Sequence, residues 1–345
     1  MHLMQLTNLT NLTNPTNPTN RINWLHAPVA HHRSQGMILI TWLGFFFHNV
    51  EQVAEVARSG ARVDIAGLAS TLPVRLLNRV ASVFSSYWRH RHLILQMARR
   101  DVVGRYRGSV LGLAWSFLNP LLMLSVYTFL FGVVFKSRWG AIAGEGHVEY
   151  ALILFVGLIV HGLFAECVNR APGLLLQHVS FVKRVVFPLE ILPWTVLASA
   201  LFHTAVSLCI WLLFAVASGF PLSPAALLLP LVLLPLVLLT MGCAWFLASL
   251  GVYLRDVGHT VALLTTMLLF LAPILYPMSA VPDKYRYLIR LNPLTFVVEQ
   301  AREVLAYQSL PDFTGLAIVT AQNLVVATLG LWWFQKTRRG FADVV

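Results

Sequence analysis

Long uncharged stretches alternate with short charged segments along most of this chain. Residues 108–135 contain no Asp, Glu, Lys or Arg, and the same holds for residues 191–254. A bilayer core of about 30 Å is crossed by about 20 helical residues, so the first stretch accommodates one membrane-spanning helix. The second stretch is long enough for two helices, and Gly219, Pro221 and Pro224 supply a break between them.

The other uncharged stretches extend this pattern and predict an all-α integral membrane protein with six transmembrane helices. Pro273 and Pro277 predict a kink or a break near the end of the fifth span. Before the last span, Asn292 and Pro293 predict the start of a short amphipathic helix that does not cross the membrane. The predicted spans lie at about 108–135, 147–168, 191–216, 225–252, 257–282 and 313–335.

Residues 74–89 follow a helical period instead. Leu76 and Val80 fall on one face of the predicted helix, whereas Arg75 and Arg79 fall on the other. This pattern is typical of an amphipathic helix in the cytoplasmic headgroup region, with its arginines toward anionic lipid. A helix of a soluble protein shows the same pattern, but the membrane span that follows favours the interfacial helix.

The chain divides into three parts on this evidence. Residues 1–73 form an N-terminal extension, within which 1–36 carry a proline-containing repeat, TNLTNLTNPTNPTN, that predicts disorder and leaves Met37 as an alternative start. Residues 74–107 form the interfacial helix and an elbow. Residues 108–339 form the six-span transmembrane domain.

Composition supports the membrane assignment. Of the 345 residues, 57% are hydrophobic and only 11% are charged, whereas soluble domains have about 25% charged residues. The net charge of +11 does not indicate a nucleic-acid partner, because Lys and Arg cluster beside the apolar stretches. Cys167, Cys209 and Cys243 lack the spacing of metal ligands and are predicted to be small buried side chains.

The sequence motifs of catalysis are missing. No Gly–Lys pair occurs, so the chain has no phosphate-binding loop for ATP, and it contains neither HExxH nor paired CxxC motifs. We therefore predict no catalytic residue, no metal ligand and no cofactor in this chain, and a passive membrane path. Glu166 is expected to be paired or near the membrane surface, and His161, His203 and His259 to be hydrogen-bonded core residues.

A basic segment precedes the first span and predicts an elbow that is held at the cytoplasmic face of the membrane. Its arginines are Arg99, Arg100, Arg105 and Arg107. Three glycines spaced by four residues accompany the elbow, and they either form a smooth helical stripe for a neighbouring backbone or serve the bend. These glycines are Gly104, Gly108 and Gly112.

Aromatic residues spaced by four form a stripe on the first span. They are Tyr127, Phe131 and Phe135, and Trp115 lies near the start of the same span. Aromatic faces hold sugar rings by apolar contact without fixing them, so these four residues are candidates for a glycan path. The alternative is ordinary helix packing or an aromatic belt at the membrane interface.

Three blocks of this sequence resemble the ABC-2 type permeases of polysaccharide export, the membrane subunits of O-antigen, capsule and teichoic-acid exporters. The blocks are RRDVVGRYRGSVLGLAWSFLNPLL at 99–122, FVKRVVFPLEILP at 181–193 and LNPLTFVVEQAREVL at 291–305. The resemblance covers about residues 75–345. It implies a homodimer in the bacterial inner membrane, with two copies of a separate ATPase that binds ATP and Mg, and a lipid-linked glycan as substrate.

The same resemblance implies roles for two segments outside the spans. The loop that contains Phe181, Lys183, Arg184 and Phe187 is expected to dock on the ATPase. The segment 283–306 is expected to cap the channel at the outer face.

Two other functions remain open. One is an ABC-2 permease for drugs or small lipids. The other is a membrane-bound glycosyltransferase acting on polyprenyl-linked sugars, or an acyltransferase, either of which needs acids or histidines that converge in a loop. The outer segment offers four acids, although two of them fit the polar face of its short helix. The four are Asp283, Glu299, Glu303 and Asp312.

The distribution of basic residues predicts the topology. More than twice as many Lys and Arg residues lie in the segments on the side of the two termini as on the opposite side, so both termini are expected in the cytoplasm. Reporter fusions after Gly219 and after Tyr307 are therefore expected to read as outside the cytoplasm. A cytoplasmic signal at either position would contradict the six-span topology.

Overall fold

Apolar segments that cross a bilayer must pair their own backbone groups, and this chain does so by forming helices. The computed structural model describes residues 74–130, 147–183 and 187–344, and within these ranges it contains helices and no β-strand. The predictions for residues 1–73 and for Phe131, Phe135 and Arg184 lie outside the described residues.

The helices have the following bounds. In chain order they are α1 (Val74–Tyr106), α2 (Trp115–Tyr127), α3 (His147–Arg170), α4 (Leu174–Gln177), α5 (Val179–Val182), α6 (Leu192–Ala217), α7 (Leu229–Tyr253), α8 (Val257–Leu271), α9 (Asp283–Arg290), α10 (Pro293–Leu305), α11 (Phe313–Thr337) and α12 (Phe341–Val344). Short 3₁₀ turns lie at Gly112–Ala114, Leu189–Ile191, Pro224–Leu228, Met278–Ala280 and Arg338–Gly340.

Five helical segments of the described chain are long and apolar enough to cross a membrane. They are Gly112–Leu130, Glu149–Arg170, Leu189–Ala217, Pro224–Tyr253 and Phe313–Gly340. The fifth predicted span, at 257–282, is not a continuous helix, because α8 ends at Leu271 and Ala272 has an extended backbone. A helix of that length is about 22 Å long and does not cross the bilayer core alone.

Contacts at both ends of the molecule show how α8 is continued. At one end, which we call the elbow end, the Tyr253 hydroxyl donates to the carbonyl oxygen of Thr337 at 3.1 Å. At the opposite end, the Tyr150 hydroxyl donates to the carbonyl oxygen of Leu275 at 3.0 Å. The chain therefore runs from one end to the other between Tyr253 and Leu275, and α8 with the extended residues after it makes the sixth passage.

The interfacial helix and the elbow form one element, which is longer than the predicted 74–89. Helix α1 has a kink at His90 and continues to Tyr106. Ile94, Ala98 and Val102 are buried and spaced by four, so they form the face of α1 that packs inward.

Two of the three elbow glycines serve the bend, and the three do not form one helical stripe. Gly108 and Gly112 have positive φ angles of +88° and +51°, which other residues rarely adopt. Among the described residues, no atom comes within 4 Å of the position that a side chain would occupy at Gly104, Gly108 or Gly112. The elbow turn therefore needs the conformational freedom of glycine, and the stripe interpretation is wrong.

Glycines do allow a close helix contact elsewhere, between α7 and α11. A Cβ atom at Gly330 would lie 2.2 Å from the carbonyl oxygen of Gly242, so neither residue can carry a side chain without separating the helices. In the same pair, the amide of Asn323 donates to the carbonyl oxygen of Pro235 at 2.9 Å. Small residues and a buried polar contact are the usual means by which membrane helices pack.

The short helix before the last span follows its prediction. The Asn292 side chain accepts from the backbone N–H of Leu294 at 3.0 Å, and Pro293 is the first residue of α10. The predicted apolar face is buried against the rest of the molecule. Its residues are Leu294, Val297, Val298, Ala301 and Leu305. Of the three cysteines, Cys167 is buried as predicted, whereas Cys209 is exposed, so the prediction is wrong for Cys209.

Candidate functional site

A cleft of about 260 Å³ opens between α2, α3 and α6. Tyr127 is the predicted path residue that the structure places in it, whereas Trp115 lies half-buried at the start of α2 and does not line it. The wall is largely apolar and ends in an acid and an imidazole. The lining residues are Pro120, Met123 and Tyr127 from α2, Phe155, Leu158, Ile159, Gly162, Leu163 and Glu166 from α3, and His203, Thr204 and Ser207 from α6.

Glu166 is the centre of a polar cluster at the elbow end of this cleft. Arg105 Nη2 donates to Glu166 Oε1 at 2.5 Å, and His203 Nδ1 lies 3.0 Å from Glu166 Oε2. Arg170, one helical turn further along α3, lies 3.6 Å from the same carboxylate. An unpaired charge in a membrane span is costly, and Glu166 has two cationic partners, as its position predicted.

The cluster extends to the elbow helix through two more contacts. Arg170 Nη2 donates to Asp101 Oδ1 at 2.6 Å, and the Tyr106 hydroxyl lies 3.2 Å from His203 Nε2. Burial alone would raise the pKa of Asp101, but the hydrogen bond and the charge of Arg170 outweigh it and hold the pKa below its usual value. Asp101 therefore stays ionised, and α1 is fastened to α3 and α6.

The three histidines have different surroundings. His161 lies 3.0 Å from the carbonyl oxygen of Thr265 and is hydrogen-bonded as predicted. His203 is also hydrogen-bonded, but as a member of the polar cluster, which sequence reasoning missed because Glu166 lies on another helix. His259 is exposed at the start of α8, so its prediction as a core residue is wrong.

The elbow arginines separate into two kinds. Arg105 belongs to the polar cluster and lies beside both Glu166 and His203. Arg99, Arg100 and Arg107 are exposed, as expected of residues that face lipid headgroups or water.

The predicted ATPase-docking loop forms the two short helices α4 and α5. The Phe181 and Phe187 rings stack with centroids 4.5 Å apart and planes within 10° of each other. The His178 ring also stacks on that of Phe181, with centroids 5.8 Å apart, and Lys183 is exposed. The loop therefore presents a stack of aromatic rings, which we call the aromatic column, beside an exposed lysine.

Sequence reasoning also missed a buried arginine. Arg302 on α10 is only 2% exposed, and its guanidinium donates from Nη1 to the carbonyl oxygen of Pro273 at 2.5 Å and from Nη2 to that of Ile274 at 2.7 Å. A third bond runs from Nε to the carbonyl oxygen of Ile153 on α3 at 3.1 Å. Burial lowers the pKa of Arg302 to about 10, so it remains charged at neutral pH.

The prolines after α8 indicated in the sequence that a buried donor such as this arginine is needed. A helix that stops inside an apolar region leaves carbonyl groups without helical donors, and each must be paired. A guanidinium, with five N–H donors in a fixed fork, suits several carbonyls at once. Arg302 thus holds the extended residues after α8 against α3 and α10.

Comparison with known proteins adds a family to this geometry. A family model described as ABC-2 type transporter matches residues 92–306. The O-antigen export system permease protein RfbA of Myxococcus xanthus is 28% identical over 260 residues, which are 75% of this chain and 97% of that protein. A protein of the same name from Klebsiella pneumoniae is 25% identical over 254 residues, 73% of this chain and 95% of its own. The polysialic acid transport protein KpsM of Escherichia coli is 24% identical over 233 residues, 67% and 88% of the two chains.

Replacing Arg302 with Gln is expected to destabilise the folded protein, because two or three buried carbonyls lose their donor at about 1–3 kcal/mol each. The thermal midpoint in detergent should fall, and proteolysis between Ala272 and Pro277 should become faster. Arg290→Gln, on the exposed end of α9, is the matched control and should behave like the wild type. Equal thermal midpoints for the two variants would contradict the role assigned to Arg302.

Proposed function

Because this chain belongs to the ABC-2 type transporter family, we propose that it is the membrane subunit of an exporter that moves a lipid-linked polysaccharide across the bacterial inner membrane. The observation that carries this proposal is the match to two O-antigen export permeases over at least 95% of their length. The polysialic acid transport protein extends the set to a second kind of polysaccharide. The sugars and the lipid anchor are left open by these names.

The energy for transport is assigned to a separate subunit. ABC-2 permeases of polysaccharide export systems work with an ATPase partner, and this chain has no Gly–Lys pair for a phosphate-binding loop. In the proposal, two ATPase copies bind ATP and Mg and dock on the loop that carries Phe181 and Lys183. The ordered aromatic column of that loop supports its role as a docking element.

A homodimer is supported by the exposed apolar side chains of α2. Phe117, Met123 and Val126 on α2, and Phe129 just after it, are each at least half exposed. Inside a membrane such a face contacts either lipid or another helix. We assign part of it to a second copy of the chain, because a conduit for a polymer needs walls on all sides and one subunit supplies only some of them.

The orientation follows from the position of the basic residues. The exposed elbow arginines, Lys183 and the basic residues after α11 all lie at the elbow end, so this end is assigned to the cytoplasm with both termini. Arg302 and the helices α9 and α10 then lie at the outer face. Export would proceed from the polar cluster toward Arg302.

The glycan path is proposed to run along α2. Tyr127 lines the cleft, and Phe131 and Phe135 continue its stripe in the sequence, with Trp115 at the inner end. Apolar faces without a fixed charge suit a chain that must slide, because each ring–sugar contact is weak and resembles the next.

The enzyme alternative has less support at the outer face. Asp283 pairs with Arg286, Glu303 accepts from Ser309, and Asp312 caps α11, so three of the four candidate acids are engaged in local structure. Burial raises the pKa of Glu299, the fourth acid, but one acid does not form a converging set.

Reconstitution in lipid vesicles tests the proposal. The purified chain alone is expected to hydrolyse no ATP, whereas its complex with the ABC ATPase that co-purifies from its own cells should hydrolyse ATP and move lipid-linked glycan. Transport is measured as glycan that becomes accessible to a membrane-impermeant glycosidase. Hydrolysis by the lone chain would contradict the proposal, and movement of small lipids or drugs without glycan would favour the alternative permease.

The same vesicles test the path. Tyr127→Leu keeps most of the apolar burial at modest cost in stability, about 1–2 kcal/mol, but removes a ring from the cleft. Glycan transport per reconstituted complex should fall while ATPase binding stays normal. Phe246→Leu, at a buried site on α7 away from the cleft, is the control, and an equal loss in both variants would contradict a path role for Tyr127.

A further inference from the structure

The C-terminal segment, residues 336–344, is joined to the loop that precedes α6. Arg338 Nη1 donates to Glu190 Oε2 at 2.8 Å, and Arg338 Nη2 donates to the carbonyl oxygen of Phe187 at 2.9 Å. One guanidinium therefore holds both a carboxylate and a backbone carbonyl of the same loop. A basic residue that served only the topology would not need two fixed partners.

The residues on either side of Arg338 are themselves packed against the helices. Phe341 is fully buried, with its ring 5.4 Å from that of Phe334 and 6.1 Å from that of Tyr253. The Tyr253 hydroxyl also donates to the carbonyl oxygen of Thr337, the residue before Arg338. The C-terminal segment is thus packed on the elbow ends of α7 and α11, and Arg338 projects from a rigid base.

The contacts of Arg338 also connect it to the aromatic column of the loop. Phe187, whose carbonyl Arg338 binds, stacks on Phe181, and Phe181 stacks on His178. Glu190 belongs to the 3₁₀ turn that leads into α6, and Trp245 on α7 donates from its indole N–H to the carbonyl oxygen of Glu190 at 3.0 Å. The aromatic column is therefore connected through these contacts to α6, α7 and α11.

We propose that Arg338 is a positioning residue of a composite docking surface for the ATPase subunit. The surface consists of Phe181, Lys183 and Phe187 from the loop, and of the basic residues at the start of the C-terminal segment. This proposal rests on the proposed function and deepens it, since it adds the C-terminal segment to the part of the chain that meets the partner.

The charge of this surface indicates the chemistry of the partner. Lys183, Lys336 and Arg339 are exposed there, whereas the carboxylate of Glu190 is occupied by Arg338. The complementary partner surface is an apolar pocket for the aromatic column with acidic residues around it. Complementary charges of this kind favour fast and specific association.

Binding of the ATPase that co-purifies with the wild-type chain tests the proposal. Arg338→Gln removes the charge and the double contact, and its affinity for the ATPase should fall about tenfold, the scale of one charge-assisted hydrogen bond. Arg290→Gln is the matched control, because Arg290 is exposed on α9 at the opposite end of the molecule, away from the docking surface. Its affinity should stay within about twofold of the wild type.

Arg338→Lys separates position from charge. An ammonium group keeps the charge but cannot reproduce the planar fork to two acceptors, so its affinity should fall between those of the wild type and Arg338→Gln. If Arg338→Gln does not insert into the membrane, Arg338→Lys alone tests the proposal. The thermal midpoint of the permease alone and the stimulation of ATP hydrolysis are measured in parallel, since a merely structural role would lower the first without changing the second per assembled complex.

Phe181→Ala is the reference that distinguishes the two levels of the proposal. If Phe181→Ala loses ATPase binding while both Arg338 variants bind like the wild type, the role of Arg338 is overturned and the proposed function stands. If no ABC ATPase associates with the wild-type chain, the proposed function itself is overturned.

Discussion

The need to pair every buried charge organises this protein. Glu166 lies within an apolar helix, and it is accommodated because Arg105, Arg170 and His203 surround its carboxylate. A buried charge left with no partner at all would cost about 3–5 kcal/mol. The same contacts connect the elbow helix α1 to α3 and α6. The polar cluster therefore both compensates a buried charge and holds three helices together.

At the opposite end, a second buried charge pairs backbone groups that lack helical partners. There the backbone is unpaired, because α8 stops at Leu271 inside an apolar region, and Arg302 supplies the missing donors. Arg302 thereby holds the sixth passage against α3 and α10. The two ends of the molecule are thus held by different means, side-chain ion pairs at the elbow end and a guanidinium bound to carbonyls at the other.

These two ends suit a transport path that is driven by a separate ATPase subunit. In the proposed function, the elbow end receives the partner through an aromatic column that Arg338 positions, and the polar cluster connects that end to the cleft. The α7–α11 pair is closely packed at Gly242 and Gly330. The cleft lies away from this pair, beside α2, whose side chains are mostly exposed.

The sequence alone determined the helical membrane architecture, the positions of most spans, the capped helix α10 and the family blocks. These depend on local composition and period, because a bilayer excludes all but helices in an apolar chain of this kind. It also contained Tyr127 and the docking-loop residues as candidates. It did not show that α8 ends early, that the elbow glycines serve a turn, or that His203 belongs with Glu166. Those features and the contacts of Arg302 and Arg338 join residues far apart in the chain, and they arise only when helix packing brings an unpaired group and its partner together.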